Sequence, residues 1–377
     1  MCRYDSLTGV PSCQRTVAFE KASVLFNIGG LYTQIGTRQD RGTEEGLDTA
    51  VDNFLRAAGT FQYIHENFTN APSMDLGPET LHMLVQLMCG QARECLFEKT
   101  ELSLYDKVGS DLRLCLELGQ EAAHVSDVYE KVHAAIAQPP VKDYVPYSWV
   151  CLAQVKQEHY RALANFYTAL GLLDYLGTDL DRKSREILQF LHDLRPENSN
   201  GKTRPAVPES RTARLQLGKA HLREALLLHE EALRVNRMCR ELGKKDTLAE
   251  VLRLSHDRSL NKYADVDDED DFSEIVEPPP IMPATTYQLT LAFPDFSQYK
   301  VTDLFRELGP VAVFSAKHHW TAPRTIQLRK KEDEGYGFSV RGDAPVVVAG
   351  VETDSLADVS RGEQLSHTHI LTRGTTQ

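Results

Sequence analysis

The sequence lacks the common motifs of catalytic and metal sites. It has no G-x-S-x-G elbow, no phosphate-binding P-loop and no H-E-x-x-H pair. Gly335-Tyr336-Gly337 does not extend into a dinucleotide motif, because Val340 stands where the third glycine would be. The 13 histidines are scattered without ligand spacing. We therefore expect no enzymatic activity, no cofactor and no metal.

The sequence also has no excess of positive charge and no long apolar run. Its net charge of −12 disfavours nucleic acid, and equally acidic lipids, as the main ligand. No apolar run approaches the roughly 18 to 20 residues of a membrane span, and the N-terminus lacks the layout of a signal peptide. The seven cysteines are dispersed without C-x-x-C spacing, which is typical of reduced thiols. These features predict a cytoplasmic protein without integral membrane insertion.

Long amphipathic helices dominate the first two thirds of the chain. Apolar residues recur at helical spacing between segments rich in proline, glycine and asparagine. No fixed 34-residue period is present, so a regular tetratricopeptide array is disfavoured, whereas a solenoid-like stack of antiparallel helices remains open. The predicted helices span residues 16–37, 46–68, 78–99, 105–137, 147–176, 180–194, 211–242 and 246–264.

The first of these helices combines an apolar stripe with unusually small residues. Steps of three and four place six residues on one stripe predicted to be buried: Val24, Leu25, Ile28, Leu31, Tyr32 and Ile35. Each helical glycine costs about 1 kcal/mol relative to alanine, so a packing reason is expected for Gly29, Gly30 and Gly36. We predict that these glycines let a neighbouring helix approach closely.

The composition changes after residue 264. An acidic run at 265–271 and the prolines at 278–280 and 283 indicate a linker or an extended wrapping segment, and 301–308 is a short helix candidate. Short β-type runs follow at 325–328, 338–340 and 345–348. A small β-rich module is therefore predicted from about residue 324.

The loop of Gly335, Tyr336, Gly337 and Phe338 precedes one of these strands. Backbone N–H groups in a glycine-rich turn can converge on one point and bind a carboxylate, although an ordinary glycine hairpin is the alternative. This arrangement resembles a PDZ domain, with 325–328 as the first strand, 338–341 as the ligand-pairing strand and 346–351 as the third. The resemblance implies that the loop binds the carboxylate of a C-terminal peptide.

The helical part is similar to the Bro-one domain, a helical solenoid of endosomal-sorting adaptors. The similarity rests on residues 20–29 (EKASVLFNIG) and 91–97 (QARECLF). A Bro-one domain followed by a PDZ domain is the arrangement of the rhophilin family of Rho-effector scaffolds, which this chain resembles over residues 4 to about 351, including 146–149 (PYSW). The implied fold is mainly α, with a solenoid-like Bro-one domain followed by a small, partial PDZ domain.

The resemblance also implies a domain organisation. We expect a Bro-one-type helical domain at 1–264 without its front part, a linker and wrapping segment at 265–323, a partial PDZ domain at 324–357 and a divergent, disordered tail at 358–377. Rhophilins bind GTP-loaded Rho through a coiled coil that precedes the Bro-one domain, and we expect that region to be absent here. The second long helix of a PDZ domain has no counterpart in residues 358–377.

One further site follows from the Bro-one relatives. In these, an apolar surface patch receives an amphipathic helix from a filament subunit of the third endosomal-sorting complex. The matching positions here are Leu96, Lys99, Leu114 and Leu118, and the last two lie one helical turn apart. The alternative is that these leucines are core residues.

Two functions therefore follow from the sequence and its resemblances. The first is a non-enzymatic cytoplasmic scaffold that links Rho signalling to cytoskeletal or endosomal protein partners, with perinuclear or endosome-associated localisation. The second is an endosomal-sorting adaptor that works only through the helix-docking patch.

Overall fold

The computed structural model describes residues 2–14, 16–68, 72–104, 111–177, 180–192, 207–266, 277–297, 328, 335–341 and 347–359. The chain divides into two compact units, Met1–Pro294 and Asp295–Gln377. The first is almost entirely helical and the second contains a pair of strands, so the predicted mainly helical fold class is confirmed. Predicted elements at 301–308 and 325–327 lie outside the described residues.

The first unit begins with a hairpin and continues as a row of helices. The hairpin pairs β1 (Cys2–Tyr4) with β2 (Pro11–Cys13) in antiparallel register. The helices are α1 (Val17–Thr37), α2 (Glu44–Asn67), α3 (Pro78–Leu104), α4 (Leu112–Ile136), the short α5 (Val141–Tyr144), α6 (Tyr147–Asp174), α7 (Arg182–Leu191), α8 (Arg211–Met238) and α9 (Asp246–Val266). The long helices pack mainly on their neighbours along the chain: α1 on α2, α2 on α3, α3 on α4, α4 on α6, α6 on α8 and α8 on α9.

Helix starts follow from local chemistry. The Thr16 hydroxyl accepts a hydrogen bond from the N–H of Phe19, and Thr43, Asp111, Asp181 and Ser210 cap their helices in the same way. Such caps satisfy N–H groups that have no partner inside the helix and stabilise it by about 1 kcal/mol each.

Helix α1 packs on α2 through its small residues. A Cβ at Gly29 would lie 2.7 Å from the Phe61 ring, and one at Gly36 would lie 3.0 Å from the Phe54 ring. These two glycines therefore admit aromatic rings of α2, as predicted. Gly30 is different, because a Cβ there would meet nothing within 4 Å.

The predicted burial of the α1 stripe is wrong for half of its members. Val24, Leu31 and Ile35 are exposed, with Leu31 at 56%. The buried residues of the helix are Phe19, Ala22, Ser23, Leu25, Gly29 and Gly36, of which only Leu25 belongs to the predicted stripe. Helix α1 carries two apolar stripes, and α2 covers the one with the small residues.

The prediction of reduced thiols holds for five cysteines and fails for one. Cys89, Cys95, Cys115, Cys151 and Cys239 are free. Cys13, in the N-terminal hairpin, is disulfide-bonded. Helical apolar surroundings therefore indicated the state of the core cysteines but not that of a cysteine on a short strand.

Residues 277–294, which we call the strap, run in extended conformation along the helical unit. Backbone N–H groups of Met282, Ala284 and Ala292 donate to carbonyl oxygens of Leu191, Gln120 and Leu55, at 2.7, 3.4 and 3.3 Å. Leu289 and Leu291 pack against the core cluster shared by α1, α2 and α3. The strap therefore contacts helices that are distant from one another in the sequence.

The second unit contains an antiparallel pair, β3 (Phe338–Arg341) and β4 (Val347–Val351). An irregularity in register falls between Ser339 and Val340. A short helix, α10 (Leu356–Val359), follows β4.

Candidate functional site

The predicted carboxylate-binding loop lies directly before β3 and is held by the segment that follows β4. The Gly337 carbonyl oxygen accepts from the Glu352 N–H at 2.8 Å and from the Ser355 hydroxyl at 3.2 Å. The Tyr336 carbonyl oxygen accepts from the Ala357 N–H at 3.2 Å. In each of these bonds the loop supplies the acceptor, so its backbone carbonyl groups hold it in place.

Gly337 is the residue that determines the loop's shape. Its φ of +71° lies in the left-handed region that favours glycine. A Cβ at this position would also lie 2.0 Å from the Cβ of Ser355. Gly335 has room, because the nearest atom to a Cβ there is the Gly337 nitrogen at 3.9 Å. The two glycines of the motif therefore have different requirements.

Strand β3 leads away from this loop with one edge paired. Within the described residues its only strand partner is β4. The rings of Tyr336 and Phe338 lie 6.1 Å apart beside the loop. The loop and β3 therefore follow one another along the chain in the order that the predicted peptide site requires.

One member of the predicted helix-docking patch is buried. Leu118 is 0% exposed and belongs to the core cluster with Phe97 and Leu163, so its assignment to a docking surface is wrong. Leu96, Lys99 and Leu114 are partly exposed. Lys99 Nζ binds the Asp48 carboxylate of α2 at 2.6 and 2.8 Å.

Leu114 faces a different neighbour. It lines a cavity of about 560 Å³ between the starts of α4 and α7, together with Arg113, Tyr175, Asp181 and Ser184. Lys99 and Leu114 therefore approach different helices. Three of the four predicted residues are therefore partly exposed: Leu96 and Lys99 on α3, and Leu114 on α4.

The strap crosses the same face of α3, which the sequence interpretation did not locate. Arg93 Nη1 donates to the Tyr287 carbonyl oxygen at 2.7 Å, and the Thr100 and Tyr287 hydroxyls lie 2.9 Å apart. Leu96 lies between Arg93 and Thr100 at helical spacing, so it shares the face on which the strap lies. The sequence did contain a signal for this contact, because apolar and polar residues alternate from Tyr287 to Leu291. Such alternation is typical of a half-buried extended segment.

A buried ionic group stabilises α3 beneath this surface. Burial raises the pKa of Glu94, but Lys156 and Arg41 together lower it below its usual value. The Glu94 carboxylate pairs directly with Lys156, and Arg41 Nη2 lies 3.5 Å from Glu94 Oε2. Arg41 also donates to Glu98 through Nε at 2.6 Å. The charge of Glu94 is thus compensated from the α1–α2 connection and from α6.

The two histidines of α8, His221 and His229, have separate surroundings. His221 Nδ1 lies 2.8 Å from Asn165 Oδ1, and the His221 ring stacks on His192 with centroids 5.1 Å apart. His229 instead approaches His159, at 6.0 Å between centroids. No group of three or more His, Cys, Asp or Glu side chains suited to a metal occurs among the described residues. His318 and His319 lie outside them.

Over the described ranges, no helix is both long enough and apolar enough to cross a bilayer.

Comparison with known proteins places the chain in a family. A model of the BRO1-like domain matches residues 4–326. Human Rhophilin-1 is 46% identical over 355 residues, which are 94% of this chain and 52% of that protein. Human Rhophilin-2 is 44% identical over 348 residues, which are 92% of this chain and 50% of that protein. The chain therefore spans about half the length of these curated relatives.

Solved structures show a weaker likeness. The structure described as "ALIX BRO1 CHMP4C complex" has a TM-score of 0.48 and 17% identity, covering 75% of this chain and 69% of that chain. The structure described as "Structure basis for endosomal targeting by the Bro1 domain" has a TM-score of 0.44 and 20% identity, covering 75% and 67%. Because the family model matches well over half of its length, this chain belongs to the BRO1-like domain family, and its curated relatives are rhophilins.

Proposed function

We propose that the chain is a non-enzymatic scaffold of the rhophilin type, which holds protein partners together. The observation that carries this proposal is the BRO1-like match over residues 4–326, combined with rhophilin relatives that align with more than nine tenths of the chain. In this proposal the helical unit presents a docking surface and the second unit captures a peptide. The partners belong to Rho signalling and to cytoskeletal or endosomal assemblies, and the protein works in the cytoplasm at perinuclear or endosomal sites.

The peptide partner would bind along the edge of β3 opposite β4, with its terminal carboxylate at the loop before that strand. The left-handed backbone at Gly337 supports this role, because such turns direct successive N–H groups toward one point. The apolar side chains of Phe338 and Val340 on β3 favour an apolar C-terminal residue in the ligand.

A pair of peptides tests this site without altering the protein. We expect the full chain to bind a fluorescent peptide ending in valine with a free carboxylate, and to bind its C-terminally amidated form at least about tenfold more weakly. Gly337→Val should abolish binding, whereas Gly335→Ala should retain it because that position has room. Equal affinity for the free and amidated peptides would contradict the proposed loop function.

The second candidate function is an endosomal-sorting adaptor that receives an amphipathic helix at Leu96, Lys99 and Leu114. Its support is the partly exposed Leu114 beside the cavity between α4 and α7. Leu114→Asp should weaken binding of an amphipathic helix from an endosomal-sorting filament subunit, because an anchor would be lost. Leu227→Asp, at another exposed leucine, is the matched control. If the unmutated chain does not bind this helix, the second function is refuted.

A further inference from the structure

Three helix ends meet at one end of the helical unit. The start of α6, the end of α8 and the start of α9 share a core cluster that includes Cys151, Val235, Cys239, Leu242 and Leu252. Tyr147 lies one turn before Cys151, and Met238 directly precedes Cys239. Residues 142–149 and 237–246, which we call the tip, therefore lie together.

The tip exposes large apolar side chains that the core does not use. Tyr147 is 72% exposed and Met238 is 71% exposed. Tyr144, at the end of α5, and Trp149, in the first turn of α6, are exposed to a lesser degree. Tyrosine and tryptophan have an apolar ring and a polar group, a combination that favours the boundary between water and lipid.

The same residues are interspersed with cations. Five exposed basic side chains occur within the tip: Lys142, Arg237, Arg240, Lys244 and Lys245. Among the described residues none of the five forms a salt bridge, whereas Arg234, one turn earlier on α8, is paired with Glu231. The acidic residues of the tip are Asp143, Glu241 and Asp246. The tip is thus locally basic in a chain whose net charge is −12.

We propose that the tip docks on an anionic membrane surface, with the aromatic and methionine side chains at the headgroup level and the cations on lipid phosphates and carboxylates. A planar partner can contact three helix ends at once, whereas an acidic peptide would need a groove to hold it. The overall negative charge of the chain does not prevent docking on an anionic membrane. At physiological salt the screening length is about 8 Å, so the charges of the tip itself determine the interaction. This inference is independent of the peptide and helix sites above.

Vesicle sedimentation with the full chain tests the proposal. We expect the chain to sediment with phosphatidylcholine vesicles that contain phosphatidylserine, and to remain in solution with phosphatidylcholine alone. Reversing three cations together, Arg240→Glu, Lys244→Glu and Lys245→Glu, should weaken binding at least about a hundredfold, since each cation near an anionic surface contributes about 1 kcal/mol.

The matched control applies the same charge change elsewhere on the unit, through Arg38→Glu, Lys183→Glu and Arg211→Glu at exposed positions. It should bind vesicles within about threefold of the unmutated chain, apart from weak screening effects. Tyr147→Ser with Met238→Ser should also weaken binding, with little dependence on salt because the lost contribution is apolar. Far-ultraviolet melting curves establish that each variant is folded.

Three outcomes would overturn the proposal. The first is absence of sedimentation with anionic vesicles, and the second is an equal loss of binding in the control variant. The third is binding of an acidic peptide at the tip that leaves vesicle binding undetectable. The free-carboxylate peptide should bind the tip variants unchanged, so failure of this inference is distinguishable from failure of the proposed function.

Discussion

Gly59→Ala should release the strap from α2. A Cβ at Gly59 would lie 2.2 Å from the Ala292 carbonyl oxygen, 2.5 Å from its carbon and 3.0 Å from the Phe293 nitrogen. All three atoms belong to the strap backbone, so no side-chain rotation can relieve the contact. The strap must move away from α2 at this point.

The size of the effect follows from what the strap would lose. The hydrogen bond from Ala292 to Leu55 contributes about 1 kcal/mol. Partial burial of Leu289 and Leu291 contributes about 2 kcal/mol more, since full burial of a leucine is worth about 1.5–3 kcal/mol. The greater helix propensity of alanine stabilises α2 whether or not the strap is docked, so it does not offset this loss. We expect a destabilisation of the docked strap of about 3 kcal/mol.

Hydrogen exchange measured along the chain is the suitable assay, because it separates local opening from global unfolding. In Gly59→Ala the amide of Ala292 should exchange roughly a hundredfold faster or more, as about 3 kcal/mol implies. Gly90→Ala is the matched control, since a Cβ there would meet the Tyr129 ring at an ordinary 3.4 Å. Unchanged exchange at Ala292 in Gly59→Ala would refute the described position of the strap.

The remaining predictions concern α1 and pH. Gly30→Ala should raise the free energy of unfolding by about 1 kcal/mol, because the position is open, whereas Gly29→Ala should lower it by about 1 kcal/mol through overpacking; urea titrations of both variants measure this difference. Burial, aided by the neighbouring His159 and Arg258, lowers the pKa of His229 from 6.5 to about 3. Below about pH 6.5 the unfolded chain therefore binds a proton at this residue that the folded chain does not bind. The free energy of unfolding thus decreases as the pH is lowered, by about 2 kcal/mol at pH 5 from this residue. His229→Gln should remove that part of the pH dependence between pH 7 and 5, and an unaltered dependence would contradict the described burial.

Periodicity predicted the helices well because apolar residues recur at helical spacing over many turns. It could not decide which stripe of α1 is buried, since Val24 and Leu25 both belong to apolar stripes and only one faces α2. The positions of small residues indicated the buried side of α1 better, because Gly29 and Gly36 lie where α1 contacts aromatic rings of α2.

The same limit explains the error at Leu118. Its spacing from Leu114 predicted a shared face, but α6 packs closely on that part of α4, where Gly119 meets Thr168 and Ala164. A sequence gives the face of a residue on its own helix and not the helix that will cover it. The strap illustrates this most clearly, because Tyr287 binds Arg93, 194 residues earlier in the chain.

The central claim is that one molecule holds two protein partners, and a bridging measurement tests it most directly. Beads carrying the valine-terminated peptide with a free carboxylate would be incubated with a labelled amphipathic helix from an endosomal-sorting filament subunit, with and without the full chain. The account predicts that the label is captured only when the chain is present, and that capture is lost in Gly337→Val and in Leu114→Asp. Both probes would be used at saturating concentration. If the chain then fails to bring the labelled helix to the beads, the claim of two simultaneous protein partners is contradicted.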